Sequence, residues 1–210
     1  MYSTDAHGWS ELLPAREPRP SLMGRHRVPW AVVGAGVTGL ASARRLAELH
    51  PDEQIILLDA RIIGQGASAR SSGFAVAVSH FPGGFEAGQV PAYARVNRIN
   101  QAGLDLLRTQ VAAAGFDCQW HEQGLYHTAA DRASIEECGH FLRYLETMEI
   151  DHTPLSAGDL GARLGTALYQ AGVHVQLGAL VQPAALVRGL ADTLPPNVTL
   201  YEQSPILEIA

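Results

Sequence analysis

The sequence predicts an α/β fold that opens with a strand–helix–strand unit of the dinucleotide-binding kind. Three observations near the start of the chain support this prediction. A short apolar run, Trp30–Val33, leads into a glycine turn, Gly34–Gly39, with the spacing G-x-G-x-x-G. An amphipathic helical pattern follows and stops at Pro51, and a second apolar run, Ile55–Leu58, ends on Asp59. This order of strand, glycine turn, helix, strand and acid is the one that a Rossmann-type βαβ unit requires.

The residues of the glycine turn have separate physical roles in such a unit. Gly34 permits a tight turn out of the strand, and Gly36 leaves no Cβ between the backbone and a pyrophosphate. Gly39 allows the helix to lie close to the sheet. The first turn of this helix contains Val37 and Thr38, and it offers unpaired N–H groups and a partial positive charge to the phosphates.

The acid at the end of the second strand predicts a ribose contact. Asp59 lies about twenty residues after Gly39, where a carboxylate can accept hydrogen bonds from ribose hydroxyls. An acid at this place suits an unphosphorylated ribose and disfavours NADP. Ala60 and Arg61 follow directly and are predicted to belong to the same site. The pattern does not separate FAD from NAD, and a purely structural βα turn is the alternative interpretation.

A second glycine-rich segment, Gly64–Gly73, follows the acid closely. Its small residues allow close backbone approach, and its hydroxyls and free N–H groups could bind a phosphate or a flat heteroaromatic edge. By composition alone, a flexible turn is an equally good interpretation.

Together these segments resemble the amine and amino-acid oxidase family of FAD-dependent flavoproteins, which includes D-amino acid oxidase, glycine oxidase, sarcosine oxidase and γ-glutamylputrescine oxidase. The style of the N-terminal arm is nearest to the last of these. Members usually read Gly-Ala-Ser-Gly-Arg-Asn-Gly-Gly where this chain reads Gly-Ala-Ser-Ala-Arg-Ser-Ser-Gly, so Ser71 replaces the usual asparagine. The resemblance implies FAD as the cofactor. From this segment it assigns to FAD binding Gly66, Ala67, Ser68, Arg70, Ser71, Ser72 and Gly73.

The rest of the chain predicts alternating helices and short strands. Apolar residues at helical spacing predict helices over residues 91–114 and 131–149. Ser156 and Asp159 have the spacing of a capping box, and Gln182-Pro183 begins a further helix. Strands are predicted at Ala75–Val78, Gln119–Trp120, Leu125–Tyr126, Val173–Leu177, Val198–Tyr201 and Ile206–Ile209.

The resemblance also implies the domain organisation. It divides the chain into an extended arm (residues 1–28), a discontinuous Rossmann-type FAD-binding domain (29–80 and 181–210) and an inserted, partial α+β substrate domain (81–180). Backbone groups at Ile206 are expected to contact the adenine. Family members run on well beyond this length, so the chain is expected to be truncated at its C-terminus.

Composition excludes several other classes of function. The chain has 210 residues, 47% of them hydrophobic and 17% charged, with a formal net charge of −6, which is ordinary for a globular protein. This charge gives no reason to expect nucleic acid or an anionic membrane surface as a partner. No run is long enough for a membrane span and no signal-peptide core is present, so a cytoplasmic location is expected. Neither the two cysteines nor the nine histidines show metal-site spacing, so no metal is expected.

The start of the chain is polar and is interrupted by several prolines, which predicts an extended or disordered arm. It carries a mild basic cluster, which we interpret as solvated and not as a binding patch: Arg16, Arg19, Arg25 and Arg27.

The resemblance implies oxidation of the C–N bond of a small amine or amino acid by hydride transfer to flavin, followed by hydrolysis of the imine. It identifies no catalytic residue. Candidate pocket residues, each also explained by a structural role, are His80, His121, Tyr126, His127 and Tyr169. Two alternatives stay open. One is a truncated, inactive or partner-dependent fragment that self-association or a complementing chain would complete. The other is a simple NAD-binding module, which the second glycine-rich segment disfavours.

Overall fold

A computed structural model describes residues 7–78 and 85–208. The chain forms two compact units. The first contains Met1–Gly73, Gln110–Gln119 and Val181–Ala210, and the second contains Phe74–Thr109 and Trp120–Leu180. The candidate pocket residue His80 lies outside the described residues.

The first unit is built on a parallel sheet of three strands. These are β1 (Trp30–Val33), β2 (Ile55–Leu58) and β8 (Val198–Tyr201), in the order β1-β2-β8. Trp30 lies opposite Ile55, and Ile55 lies opposite Val198. The helices of the unit are α1 (Gly8–Glu11), α2 (Val37–Leu49) and α6 (Pro183–Asp192). A parallel register brings the carboxyl ends of β1, β2 and β8 to one edge of the sheet, where open α/β sheets bind their ligands.

The local sequence explains these elements. All four residues of β2 are buried, as expected for a parallel strand that is covered on both faces. Helix α2 buries Leu40, Ala43 and Ala47 at helical spacing. In α6 the Gln182 side chain accepts the Ala185 N–H at 2.7 Å, and Pro183 takes the first position, where no N–H is needed.

The second unit is an antiparallel α+β assembly. Its larger sheet has the order β4-β6-β5, and β3 pairs with β7 in a short ribbon. The helices α3 and α4 are long, and α5 is short. Helix α3 begins in this unit, and its last residues belong to the first. The bounds are β3 Phe74–Ala75, α3 Val90–Ala114, β4 Leu125–Ala129, α4 Arg132–Thr147, β5 His152–Ser156, α5 Ala157–Leu164, β6 Ala171–Val175 and β7 Ala179–Leu180.

The core of the second unit lies between α4 and the sheet. Tyr144 and Leu145 are fully buried there against Val173 and Val175. The predicted capping box is confirmed: Ser156 Oγ accepts the Asp159 N–H at 3.2 Å, and the Ser156 N–H donates to the Asp159 carboxylate at 2.9 Å. The Ser156 hydroxyl, which donates to the Asp159 carboxylate at 2.6 Å, and the Ser156 N–H hold the pKa of Asp159 below its usual range.

Several predicted strands differ from the structure. Residues 202–208 after β8 form no strand, so the strand prediction at 206–209 is wrong over its described part. Gln119–Trp120 is not a strand either; the neighbouring His121 forms an isolated bridge to Leu180 instead. The predicted strand at 75–78 is shorter and shifted, because only Phe74 and Ala75 pair with β7. Short strands of this kind depend on a partner that local sequence does not specify.

The arm differs most from its prediction. Residues 12–29 contain no helix or strand, but the arm is not a free, solvated segment. Arg16 pairs with Glu202 at 2.5 Å and Arg19 pairs with Asp192 at 2.7 Å. The Leu22 N–H donates to Ser204 Oγ at 2.8 Å. Half of the predicted basic cluster is therefore held by carboxylates of the first unit.

Candidate dinucleotide-binding site

The backbone of the glycine turn after β1 packs very closely against the start of helix α2. A Cβ at Gly39 would lie 1.7 Å from the carbonyl oxygen of Gly34. Gly34 itself has φ of +89°, a conformation that favours glycine. Helix α2 begins at Val37 with Gly36 as its N-cap. The turn therefore aims the N-terminus of α2 toward the carboxyl end of the sheet.

The first turn of α2 leaves backbone donors available. The Val37 N–H donates to Ser68 Oγ at 3.1 Å and the Leu40 N–H donates to the Gly36 carbonyl at 2.9 Å. The N–H groups of Thr38 and Gly39 have no acceptor among the described residues. Two free donors at the positive end of a 13-residue helix form an anion-binding arrangement. This arrangement fits the pyrophosphate of a dinucleotide.

Asp59 ties the two strand ends together. Its Oδ2 accepts the Ala35 N–H and its Oδ1 accepts the Arg61 N–H, both at 2.8 Å. An ionised carboxylate has about four lone-pair positions, so two remain for ribose hydroxyls. Asp59 thus shapes the glycine turn as well as offering acceptors, a role that spacing alone did not predict.

The second glycine-rich segment forms a turn of 3₁₀ helix, Ala67–Arg70, and this turn was not predicted. It places Ser68 against the start of α2, where a Cβ at Gly36 would lie 2.8 Å from Ser68 Oγ. At its far end, a Cβ at Gly73 would lie 2.4 Å from the Val181 carbonyl oxygen. The segment is therefore an ordered part of the site and not a flexible turn.

The structure brings most of the predicted site residues together around α2 and Asp59. Gly36, Val37 and Ser68 are in contact, and Arg61 accepts a hydrogen bond from the Gln203 N–H at 3.3 Å. Ile206 lies in irregular backbone and is 41% exposed, so its contact with adenine stays a prediction. The predicted site residues with exposed surface are Val37, Thr38, Ala60, Gly66, Ala67, Arg70, Ser71, Ser72 and Ile206.

Sequence reasoning missed a buried carboxylate beside this site. Glu202 has no exposed surface, and its Oε1 accepts the Ile63 N–H at 2.7 Å. Its position immediately after β8 was the available signal, since Asp59 follows β2 in the same way. Carboxyl ends of neighbouring parallel strands meet at one edge, so both acids were candidates for that edge.

The candidate pocket residues of the second unit have structural contacts. The Tyr126 ring stacks on His174 with centroids 4.5 Å apart, and the His127 ring lies 4.1 Å from Phe141. His174 is buried, and its Nε2 is 2.8 Å from the Gln123 carbonyl oxygen. These rings have packing roles, and no catalytic role is assigned to them.

The two cysteines are buried free thiols. Burial raises the pKa of Cys118 to about 11. This thiol therefore stays protonated near neutral pH, which disfavours a nucleophilic role. Among residues 7–78 and 85–208, no helix has both the length and the apolar character that a membrane span needs.

Comparison with known proteins points to one family. A family model described as FAD dependent oxidoreductase matches residues 29–210. A protein named probable oxidoreductase OrdL, from Haemophilus influenzae, is 27% identical over 192 residues. Gamma-glutamylputrescine oxidoreductase from Escherichia coli is 28% identical over 183 residues. Each alignment covers 85% of this chain and 42% of the relative, so the chain spans less than half the length of these curated relatives.

Solved structures agree on the fold. Glycine oxidase from Bacillus cereus superposes with a TM-score of 0.70 at 20% identity, covering 88% of this chain and 48% of that one. Glycine oxidase from Geobacillus kaustophilus superposes with a TM-score of 0.69 at 21% identity, covering 85% of this chain and 47% of that one. At such identities the similarity shows a shared fold.

Proposed function

This chain belongs to the FAD dependent oxidoreductase family and its cofactor is FAD, and on that premise we propose that it oxidises the C–N bond of a small amine or amino acid. The observation that supports the flavin site best is that the N–H groups of Thr38 and Gly39 have no acceptor among the described residues, in the same glycine turn whose Ala35 N–H donates to Asp59. The relatives named above support the substrate class, because their names specify an amine derivative and an amino acid.

The described residues fit the cofactor as follows. The Thr38 and Gly39 N–H groups would hold the pyrophosphate, and the remaining lone pairs of Asp59 would accept the ribose hydroxyls. Gly36 leaves the approach to these groups open. Ser68, already bonded to Val37, would fix the second glycine-rich segment against the same end of α2.

Bound FAD supplies the redox chemistry, which is acceptance of a hydride from the carbon that bears the amine nitrogen. The residues of this chain bind and orient the cofactor. Because the described residues offer no acid–base pair at this site, we assign them no proton transfer. The substrate would then bind as the neutral amine, and loss of a hydride would leave an iminium ion that water hydrolyses.

We expect the purified protein to bind FAD. The measurement is an absorption spectrum after gel filtration with added FAD, in which a band near ~450 nm should co-elute with the protein. Anaerobic addition of individual amines and amino acids should then bleach that band for the true substrate class. A folded protein that retains no flavin would contradict the cofactor site, and flavin that no amine bleaches would contradict the proposed reaction.

A second candidate is that the site works only when another polypeptide segment covers β1. In doubly wound sheets the strand before the glycine turn is central, but here β1 pairs only with β2 among the described residues. Ala31 is exposed and Val33 is 56% exposed, although parallel strands are usually covered on both faces. We propose that self-association or a complementing chain covers this strand.

If self-association covers β1, we expect light scattering to report oligomers whose mass depends on concentration. Val33→Lys should shift the protein toward the monomer, because a charge on an uncovered strand opposes pairing. Ile99→Lys is the matched control, since Ile99 is 61% exposed in the second unit. A wild-type protein that is monomeric at every concentration would leave only the complementing chain.

A further inference from the structure

The N-terminal arm makes hydrogen bonds to both ends of the second glycine-rich segment. The contacts that follow are made by residues 7–22 of the arm, which precede the region matched by the family model. His7 Nε2 donates to the Gly64 carbonyl at 2.8 Å, and Trp9 Nε1 donates to the Ser71 carbonyl at 2.9 Å. These two carbonyls flank the 3₁₀ turn that carries Ser68.

The same arm meets Glu202, the buried carboxylate beside the site. Its Oε1 accepts from Arg16 Nη1 at 2.5 Å and from the Ile63 N–H at 2.7 Å, and its Oε2 accepts from the Arg19 N–H at 2.5 Å. One carboxylate therefore connects the arm to the loop that follows Asp59. A buried charge of this kind depends on its partners, since removing one leaves it uncompensated.

The arm is also held from the opposite side. Gln182 Nε2 donates to the Trp9 carbonyl at 2.7 Å, and Arg188 Nη1 donates to the Pro14 carbonyl at 2.9 Å. Gln182 is the N-cap residue of α6, and Arg188 lies within that helix. The arm is therefore tied to a rigid helix on one side and to the glycine-rich segment on the other.

We propose that the arm is a positioning element of the flavin site: Trp9 and Arg16 act through Ser71 and Glu202 to hold residues 61–73 in the shape that binds FAD. This inference rests on the proposed flavin site. Residues 61–73 contain three glycines and few apolar anchors, so their conformation is costly to order. Because the contacts of the arm order residues 61–73 before FAD binds, the binding free energy does not have to supply that ordering.

The test compares three arm variants with one control. Trp9→Phe keeps an aromatic side chain, smaller than the indole, and removes the N–H that reaches Ser71. Arg16→Ala removes a partner of Glu202. Arg16→Lys keeps the positive charge, so it should retain most of the FAD affinity and of the hydrogen-exchange protection of residues 61–73. Arg25→Ala is the matched control, because Arg25 lies in the exposed continuation of the arm. Each protein is examined as the full chain, below its melting temperature.

Two readouts separate positioning from general stabilisation. Hydrogen exchange of peptides covering residues 61–73 should become about tenfold faster in Arg16→Ala, while peptides from α4 keep their rates. The Kd for FAD should weaken about tenfold in Arg16→Ala and about threefold in Trp9→Phe. Arg16→Lys should lie near wild type in both measurements.

The outcomes are distinguishable from failure of the flavin site. If wild type binds FAD and the variants bind it with unchanged Kd and unchanged exchange of residues 61–73, the arm is only a structural tail and the inference is overturned. If exchange rises equally throughout the first unit and the Kd is unchanged, the inference is also overturned. If wild type binds no FAD, the proposed site fails, and exchange of residues 61–73 alone decides whether the arm holds that segment.

Discussion

Replacement of Gly36 by valine is expected to abolish FAD binding in a protein that still folds. A Cβ at this position would lie 2.8 Å from Ser68 Oγ, and that hydroxyl is the end of a short side chain that can rotate away. The valine methyl groups would then occupy the space beside the free N–H groups of Thr38 and Gly39. Because the pyrophosphate needs that space, we expect affinity to fall at least roughly 100-fold, or about 2.7 kcal/mol.

The measurement is a titration of apoprotein with FAD followed by flavin fluorescence or absorption. Gly103→Val is the matched control, because a Cβ at Gly103 in α3 meets nothing within 4 Å. Circular dichroism and the melting temperature of Gly36→Val should stay close to those of wild type. Retention of FAD with unchanged affinity in Gly36→Val would show that the cofactor does not bind at the N-terminus of α2.

Gly39→Ala is expected to have a different effect, which is loss of folding stability. The new Cβ would lie 1.7 Å from the Gly34 carbonyl oxygen, and backbone cannot rotate away as a side chain does. Helix α2 must therefore move away from the turn. Overpacking of a tight backbone contact costs about 3 kcal/mol, a large part of a typical folding free energy.

Urea denaturation with linear extrapolation tests this expectation, and Gly103→Ala is its control. The free energy of unfolding should fall by about 3 kcal/mol in Gly39→Ala, and the melting temperature by roughly 10 °C. The control should be neutral or slightly more stable, because alanine suits a helix interior better than glycine. A Gly39→Ala protein as stable as wild type would mean that α2 does not lie as close to the turn as the structure places it.

Local patterns predicted the elements whose determinants lie within a few residues. The strand β1, the strand β2 and helix α2 occur where the apolar runs and the glycine spacing placed them. The capping box at Ser156 and the helix after Gln182 formed for the same reason, because a cap and its helix are neighbours in sequence. The acid Asp59 follows β2 at the predicted edge of the sheet.

Elements that depend on a distant partner were missed. Strand β5, His152–Ser156, contains a proline and no clear alternation, and it exists because its residues pair with β6. Strand β7 has two residues and pairs with β3, which lies about a hundred positions earlier in the chain. Conversely, the apolar run after Ser204 finds no strand partner among the described residues and stays irregular.

The sequence by itself determined the βαβ unit, the two glycine-rich segments and hence the family and its cofactor, because these are set by the sizes and spacings of adjacent residues. Only the tertiary structure decided that Glu202 is buried and that the arm donates hydrogen bonds to it. Only the tertiary structure also showed that the Asp59 carboxylate accepts a hydrogen bond from the glycine turn. Such contacts join residues more than twenty positions apart, as in the pair of Arg16 with Glu202. Their formation depends on where the sheet brings strand ends together, and no local pattern encodes that.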